Sequence, residues 1–155
     1  MGINKYPNVN QNNNPNTNPV VWSSESYDGG ERAEKLVGEF LEKVLGLEGF
    51  SEEDENAGKV FKDVRFRKTT YKEDVHEKGG DFVIYRPDTN EYVHFDVTTS
   101  RNPSVINYKR RNAEENNLKL LIVRTRTLEN AIRGATVDQN ELIRDIREQV
   151  LELGI

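Results

Sequence analysis

Along residues 78–100, KGGDFVIYRPDTNEYVHFDVTTS, the spacing of apolar and polar positions predicts a β-hairpin. Asp81 opens an apolar run, FVIY. Arg86-Pro87-Asp88-Thr89-Asn90 carries the turn: proline presets φ, and Asp and Asn tolerate unusual backbone angles. On the return strand Val93, Phe95 and Val97 take one face, while His94, Asp96 and Thr98 take the other, because successive strand side chains point in opposite directions. The first set demands a core, and the second is a polar row. Pairing through the turn lets Asp81 and Asp96 approach one another. Neighbouring carboxylates repel unless a cation lies between them, and hard cations such as Mg²⁺ prefer such oxygen ligands.

Helical periods flank this hairpin. Asp28-Gly29-Gly30-Glu31 reads as a capping box with Asp28 as the cap. Ala33, Leu36, Val37, Phe40, Leu41, Val44 and Leu45 then recur at helical spacing, and Gly46 and Gly49 stop the helix. Glu34 falls inside the edge of the apolar arc, where a carboxylate needs a partner. That partner is either a surface Arg or Lys or the cation of the strand carboxylates. Residues 51–55, SEEDE, read as a solvated acidic loop, and residues 59–70 as a strand with Arg65, Arg67 and Lys68 exposed. Residues 71–78 form a polar loop carrying His76.

Downstream, Asn102-Pro103 gives a cap and a first-turn proline for a helix running to about residue 117. Its apolar stripe, Val105, Ile106 and Ala113, is thin, and Lys109 falls on the wheel between Val105 and Ile106, so it leans toward the sheet. With Arg101, Arg110 and Arg111 it makes a basic cluster without an intervening acid, either a solvated helix face or a phosphate-contacting one. Residues 118–127, LKLLIVRTRT, predict a strand covered on both sides. Residues 128–137 read as a connector, and an Asp138 cap opens a last amphipathic helix bearing Leu142, Ile143, Ile146, Val150 and Leu151.

Composition narrows the function classes. With 155 residues the chain is long enough for one domain with a real core. Residues 1–22 are rich in Asn and Pro and cannot bury enough apolar surface to order themselves, so they read as a disordered arm, either a linker or a segment that docks on a protein partner, ahead of a single domain over 23–155. The absence of cysteine excludes disulfides, thiolate metal sites and Cys nucleophiles, and two histidines make a His-rich zinc site a poor fit. The net charge of −5 does not by itself mark a nucleic-acid binder, so the local basic cluster matters more. No apolar run reaches membrane length, and the N-terminus lacks the apolar stretch of a signal peptide, so a cytoplasmic protein without membrane contact is expected.

The predicted order, helix, three strands, helix, strand, helix, calls for an α/β fold: a mixed sheet flanked by helices. With Glu34 in the first helix, Gly80-Asp81 before the second strand and Asp96-Val97-Thr98 in the third, residues 28–127 resemble the PD-(D/E)XK, or restriction-endonuclease-like, nuclease superfamily. The resemblance implies a three-layer αβββαβ core followed here by a C-terminal helix. It also implies a divalent metal, Mg²⁺ or Mn²⁺, held by Asp81, Asp96 and the Val97 carbonyl with help from Glu34, and a nucleic acid, DNA or RNA, against Arg101, Lys109, Arg110 and Arg111. The family places a lysine two residues after the second carboxylate, where this chain has Thr98. Some members supply that cation from the second helix, where Lys109 stands. Three readings follow: a metal-dependent nuclease using Glu34, Asp81, Asp96, Thr98 and Lys109; a non-catalytic relative that binds nucleic acid or protein; or an interaction protein whose carboxylates are salt-bridged to Arg65 or Arg101. Homodimer formation stays open.

Overall fold

The structure is a computed structural model that describes residues 24–70 and 80–151, with side chains from residue 31 onward. The expectations for the arm (residues 1–22) and for His76 lie outside the described residues. The chain builds a mixed α/β fold around one four-stranded sheet.

Helix α1 spans Ser24–Glu39 and continues in a wider π-helical turn, Phe40–Val44. It therefore begins four residues before the expected Asp28 cap. The turn Gly46 ends it with φ of +66°, as the left-handed closure requires. A short helix α2, Glu52–Asn56, replaces the expected acidic loop. Ser51 and Asp54 exchange reciprocal hydrogen bonds at 3.0 Å, so the acidic run is a capping box in which negative charge sits favourably at a helix N-terminus. Strand β1 covers only Arg65–Lys68, toward the C-terminal end of the predicted stretch.

Strands β2 (Phe82–Arg86) and β3 (Glu91–Thr98) form the predicted hairpin, with Phe82 opposite Phe95 and Arg86 opposite Glu91. Asn90 takes φ of +57° in the turn, and its side-chain oxygen accepts from the Tyr85 hydroxyl at 2.7 Å. Helix α3, Pro103–Glu115, is capped at Ser104 N–H by Asn102, as read from the sequence. Strand β4 is Lys119–Ile122 and runs parallel to β3, while β1, β2 and β3 pair antiparallel. The strand expected over 118–127 stops there because helix α4, Thr125–Ile132, begins; the expected connector is largely this helix. Helix α5, Thr136–Ile146, starts two residues before Asp138 and runs on in a π-helical segment, Arg147–Leu151. None of the helices among the described residues is long and apolar enough to cross a membrane.

Parity along the strands sorts the side chains. Phe82, Ile84, Phe95, Val97, Leu121 and Val123 join one core with Ala33, Val37, Phe40 and Leu41 of α1 and with residues of α4 and α5. The Phe82 and Phe95 rings stack at 5.5 Å. The other face carries Val83, Tyr85, His94, Asp96 and Thr98. Helix α3 packs on β3 and β4, and its buried stripe of Val105, Lys109 and Ala113 lies outside that core.

The outer edge of β4 is closed by a side chain. The Gln149 amide accepts from Ile122 N–H at 3.0 Å and donates to Ile122 C=O at 3.2 Å, occupying the two groups that a further strand would pair. Gln149→Leu keeps the volume and removes both bonds. It is expected to cost about 1–3 kcal/mol in urea unfolding; unchanged stability would show that the edge needs no such closure.

Candidate functional site

The site begins with a glycine. Gly80 has φ of +81°, and a Cβ there would lie 2.8 Å from the Phe95 carbonyl oxygen, closer than real side chains approach. Lacking that atom, the chain crosses tightly over β3. Asp81 N–H donates to Phe95 C=O at 2.9 Å, and the Thr69 hydroxyl donates to Gly80 C=O at 2.7 Å. The carboxylate then turns along the strand, where Asp81 Oδ2 accepts from Val97 N–H at 2.9 Å. That N–H belongs to the peptide linking Asp96 to Val97. Asp81 therefore sits against the backbone of Asp96, with 3% exposure, and Asp96 itself is 9% exposed. Two carboxylates from separate segments are buried at one place, a costly arrangement unless each is satisfied by hydrogen bonds or opposite charge. Both are engaged in the folded chain.

Thr98 follows Asp96 on the same face and is buried. Its hydroxyl oxygen accepts from Ser100 N–H at 3.2 Å, and the Ser100 hydroxyl accepts from Asn102 N–H at 3.1 Å. With the Asn102 cap these bonds form a polar chain that delivers β3 into α3 and fixes how α3 lies. Lys109 sits mid-stripe on that helix with 7% exposure. A lysine that buried is rare unless paired, and Lys109 is engaged. The lean toward the sheet expected from the helical wheel is thus realised. Arg101, Arg110 and Arg111 are exposed.

Glu34 is half-buried on α1 and engaged, on the line of Leu41 two turns toward the N-terminus. Among the described residues no group of three or more His, Asp or Glu side chains is arranged to hold a metal ion. The oxygen donors brought together are thus Asp81, Asp96 and nearby backbone. That set fits Mg²⁺ chemistry, in which one or two carboxylates bind and waters or substrate phosphates complete the shell.

Sequence reasoning missed an ionic network beside the site. Arg67 was expected to be exposed but is buried, because its strand position pairs it across Val83 with His94 on the polar face. Glu55 of α2 bridges the two: Arg67 Nη2 donates to Oε1 at 2.6 Å, and His94 Nε2 lies 2.6 Å from Oε2. So the end of the acidic run is clamped onto the sheet. The capping pattern at Ser51 to Asp54 was the signal that could have found it. Burial alone would raise the Glu55 carboxyl; hydrogen bonds and charge from His94 and Arg67 outweigh it and hold the group below its ordinary value. Arg65 pairs with Glu48 and Asp63 rather than with either site carboxylate.

Comparison with family models, with curated proteins and with solved structures finds no match to this chain.

Two outcomes follow from this geometry. Gly80→Ala should destabilise the fold by more than about 1 kcal/mol and shift the Val97 amide resonance, since Asp81 must move off β3; a protein as stable as the parent would contradict the crossing. For Glu55, a folded pKa below the ordinary 4.5 means that the ionised carboxylate stabilises the fold above about pH 4.5. That contribution disappears as pH falls through the folded pKa. Glu55→Gln should flatten the stability profile in this acid window, measured by denaturant unfolding at a series of pH values.

Proposed function

We propose that the chain is a divalent-metal-dependent nuclease on a restriction-endonuclease-like, three-layer αβββαβ core, hydrolysing phosphodiester bonds of DNA or RNA. The observation that carries this reading is the Asp81 carboxylate held against the peptide of Asp96, both buried, beside a helix that buries Lys109. The order of α1, the three antiparallel strands, α3 and the parallel β4 supports it.

On this reading Asp81, Asp96 and the Val97 carbonyl would hold Mg²⁺ or Mn²⁺, with Glu34 assisting. When bound, such an ion supplies Lewis acidity toward the phosphate and a lowered pKa for its water. Asp81 contributes a carboxylate whose direction is set by its bond to Val97 N–H. Lys109 brings positive charge toward the polar face, where charge developing on the scissile phosphate would be stabilised, standing in for the cation absent at Thr98. The Thr98 hydroxyl keeps one proton to donate. Arg101, Arg110 and Arg111 would position the nucleic-acid backbone without reading its sequence.

The alternative, a non-catalytic relative that binds nucleic acid or a protein, is favoured by Thr98. Its hydroxyl already serves the β3–α3 turn and carries no charge. Cytoplasmic location, homodimer formation and a protein partner held by the arm of residues 1–22 belong to the same set of proposals.

Purified protein should cleave DNA or RNA only with Mg²⁺ or Mn²⁺ present. Asp81→Asn and Asp96→Asn should abolish cleavage while circular dichroism and melting stay near the parent's. Unchanged cleavage by both variants would refute the site. Salt-sensitive nucleic-acid binding that ignores Mn²⁺ and both substitutions would select the non-catalytic reading.

A further inference from the structure

Beyond the carboxyl ends of the parallel pair β3 and β4 the structure opens a cleft of about 370 Å³ between the start of α3 and helices α4 and α5. This is where ligands enter α/β sheets, since helix N-termini converge there. Its lining carries both charges. Arg101 and Arg124 contribute guanidinium groups, and neither forms an ion pair among the described residues. Glu141 and Asp145 of α5 contribute carboxylates, and Ile106, Ile122 and Val123 give it an apolar floor. Arg124 is also the cap residue of α4, and its side chain, which has no acceptor, makes no capping bond. Thr127, in the first turn of α4, lines the cleft with 8% exposure, and its hydroxyl makes no hydrogen bond among the described residues.

We propose that this cleft binds a nucleotide, its phosphate at Arg101, Arg124, Thr127 and the α4 N-terminus, and an amino-bearing base edge at Glu141 and Asp145. The phosphate half follows from the donors gathered there. Two exposed guanidinium forks, the start of α4 and the Thr127 hydroxyl all donate, and all match phosphate oxygens. The base half follows from the two carboxylates that α5 brings to the cleft. Burial raises the Asp145 carboxyl above its ordinary value, and Glu141 and Glu148 add to this against the pull of Arg144. A ligand that donates N–H groups there would relieve the repulsion; the amino groups of adenine, cytosine and guanine supply such donors, whereas uracil offers only its single N3–H between two carbonyls that the carboxylates repel. The volume suits one nucleotide, and the apolar floor suits the face of a base. The inference shares Arg101 with the nuclease reading but does not rest on it, because no metal and neither Asp81 nor Asp96 takes part.

The test is calorimetric titration of the full chain in EDTA with GMP, AMP, CMP, UMP and inorganic phosphate, and with a short 5′-phosphorylated oligonucleotide. The amino-bearing nucleotides should bind, UMP more weakly and phosphate weakest. Replacing both Arg101 and Arg124 by Ala should weaken binding at least about tenfold, and the shape-conserving Thr127→Val by about three- to tenfold. Asp145→Asn should erase the preference over UMP. Free nucleotides that bind as tightly as the oligonucleotide mark a small-molecule site; binding of the oligonucleotide alone, lost in the arginine variant, marks a site for a strand's terminal nucleotide. No binding of either kind, binding unaltered by the arginine and Thr127 variants, or equal affinity for UMP and GMP would overturn the proposal. Repeating the titration on Asp96→Asn, where binding should persist, separates its failure from failure of the nuclease reading.

Discussion

The structure turns on the two-sidedness of β3. Phe95 and Val97 are drawn into the core shared with α1, where Phe95 stacks on Phe82, and that burial is the strongest force acting on the strand. Because strand side chains alternate, the same force drives Asp96 and Thr98 to the opposite face, whatever their own hydration would prefer. A slip of one residue would put two aromatic or aliphatic groups under α3 and a carboxylate in the core. The polar row is therefore held by apolar packing on its reverse side.

What covers the polar row differs along its length. Near the turn end, His94 meets Arg67 and Glu55, and the charges find each other across β1, β3 and the short α2. Further along, Asp96 is met by Asp81 from the crossing at Gly80 and by α3 with its buried Lys109. The first group is a complete bridge that attaches an acidic helix to the sheet. The second concentrates like-charged oxygens, with cationic groups on an adjoining helix, and this is the part of the face where ligand chemistry is proposed. The two groups are neighbours on one surface, so the bridge also fixes the floor from which the second group rises.

Legibility differed by residue for physical reasons. The β2–β3 hairpin was readable because alternation and turn chemistry are both local; Asn90 takes the left-handed angle that its type predicted. The lean of Lys109 was readable because helical spacing alone determines which face a residue shares. Arg67 was misread. Its neighbours Arg65 and Lys68 are partly or fully exposed, and nothing local distinguishes it; only the register Arg67–Val83–His94 places it under Glu55. Helix α4 was missed because its apolar positions are few, Leu128, Ala131 and Ile132, and they acquire meaning only against a core built by other elements.

By itself, then, the sequence determined the order of the longer elements, the hairpin, the partition of β3 into an apolar and a polar face, and the cap at Asn102. These depend on period and on bonds within a few residues. The tertiary structure decided which polar groups meet: that Asp81 lies against the peptide of Asp96, that Glu55 joins Arg67 to His94, that Gln149 closes the β4 edge, and that Arg101 and Arg124 line one cleft with Glu141 and Asp145. Each of these pairs spans residues far apart in the chain, and their proximity is set by how sheet and helices pack, a property no local pattern encodes.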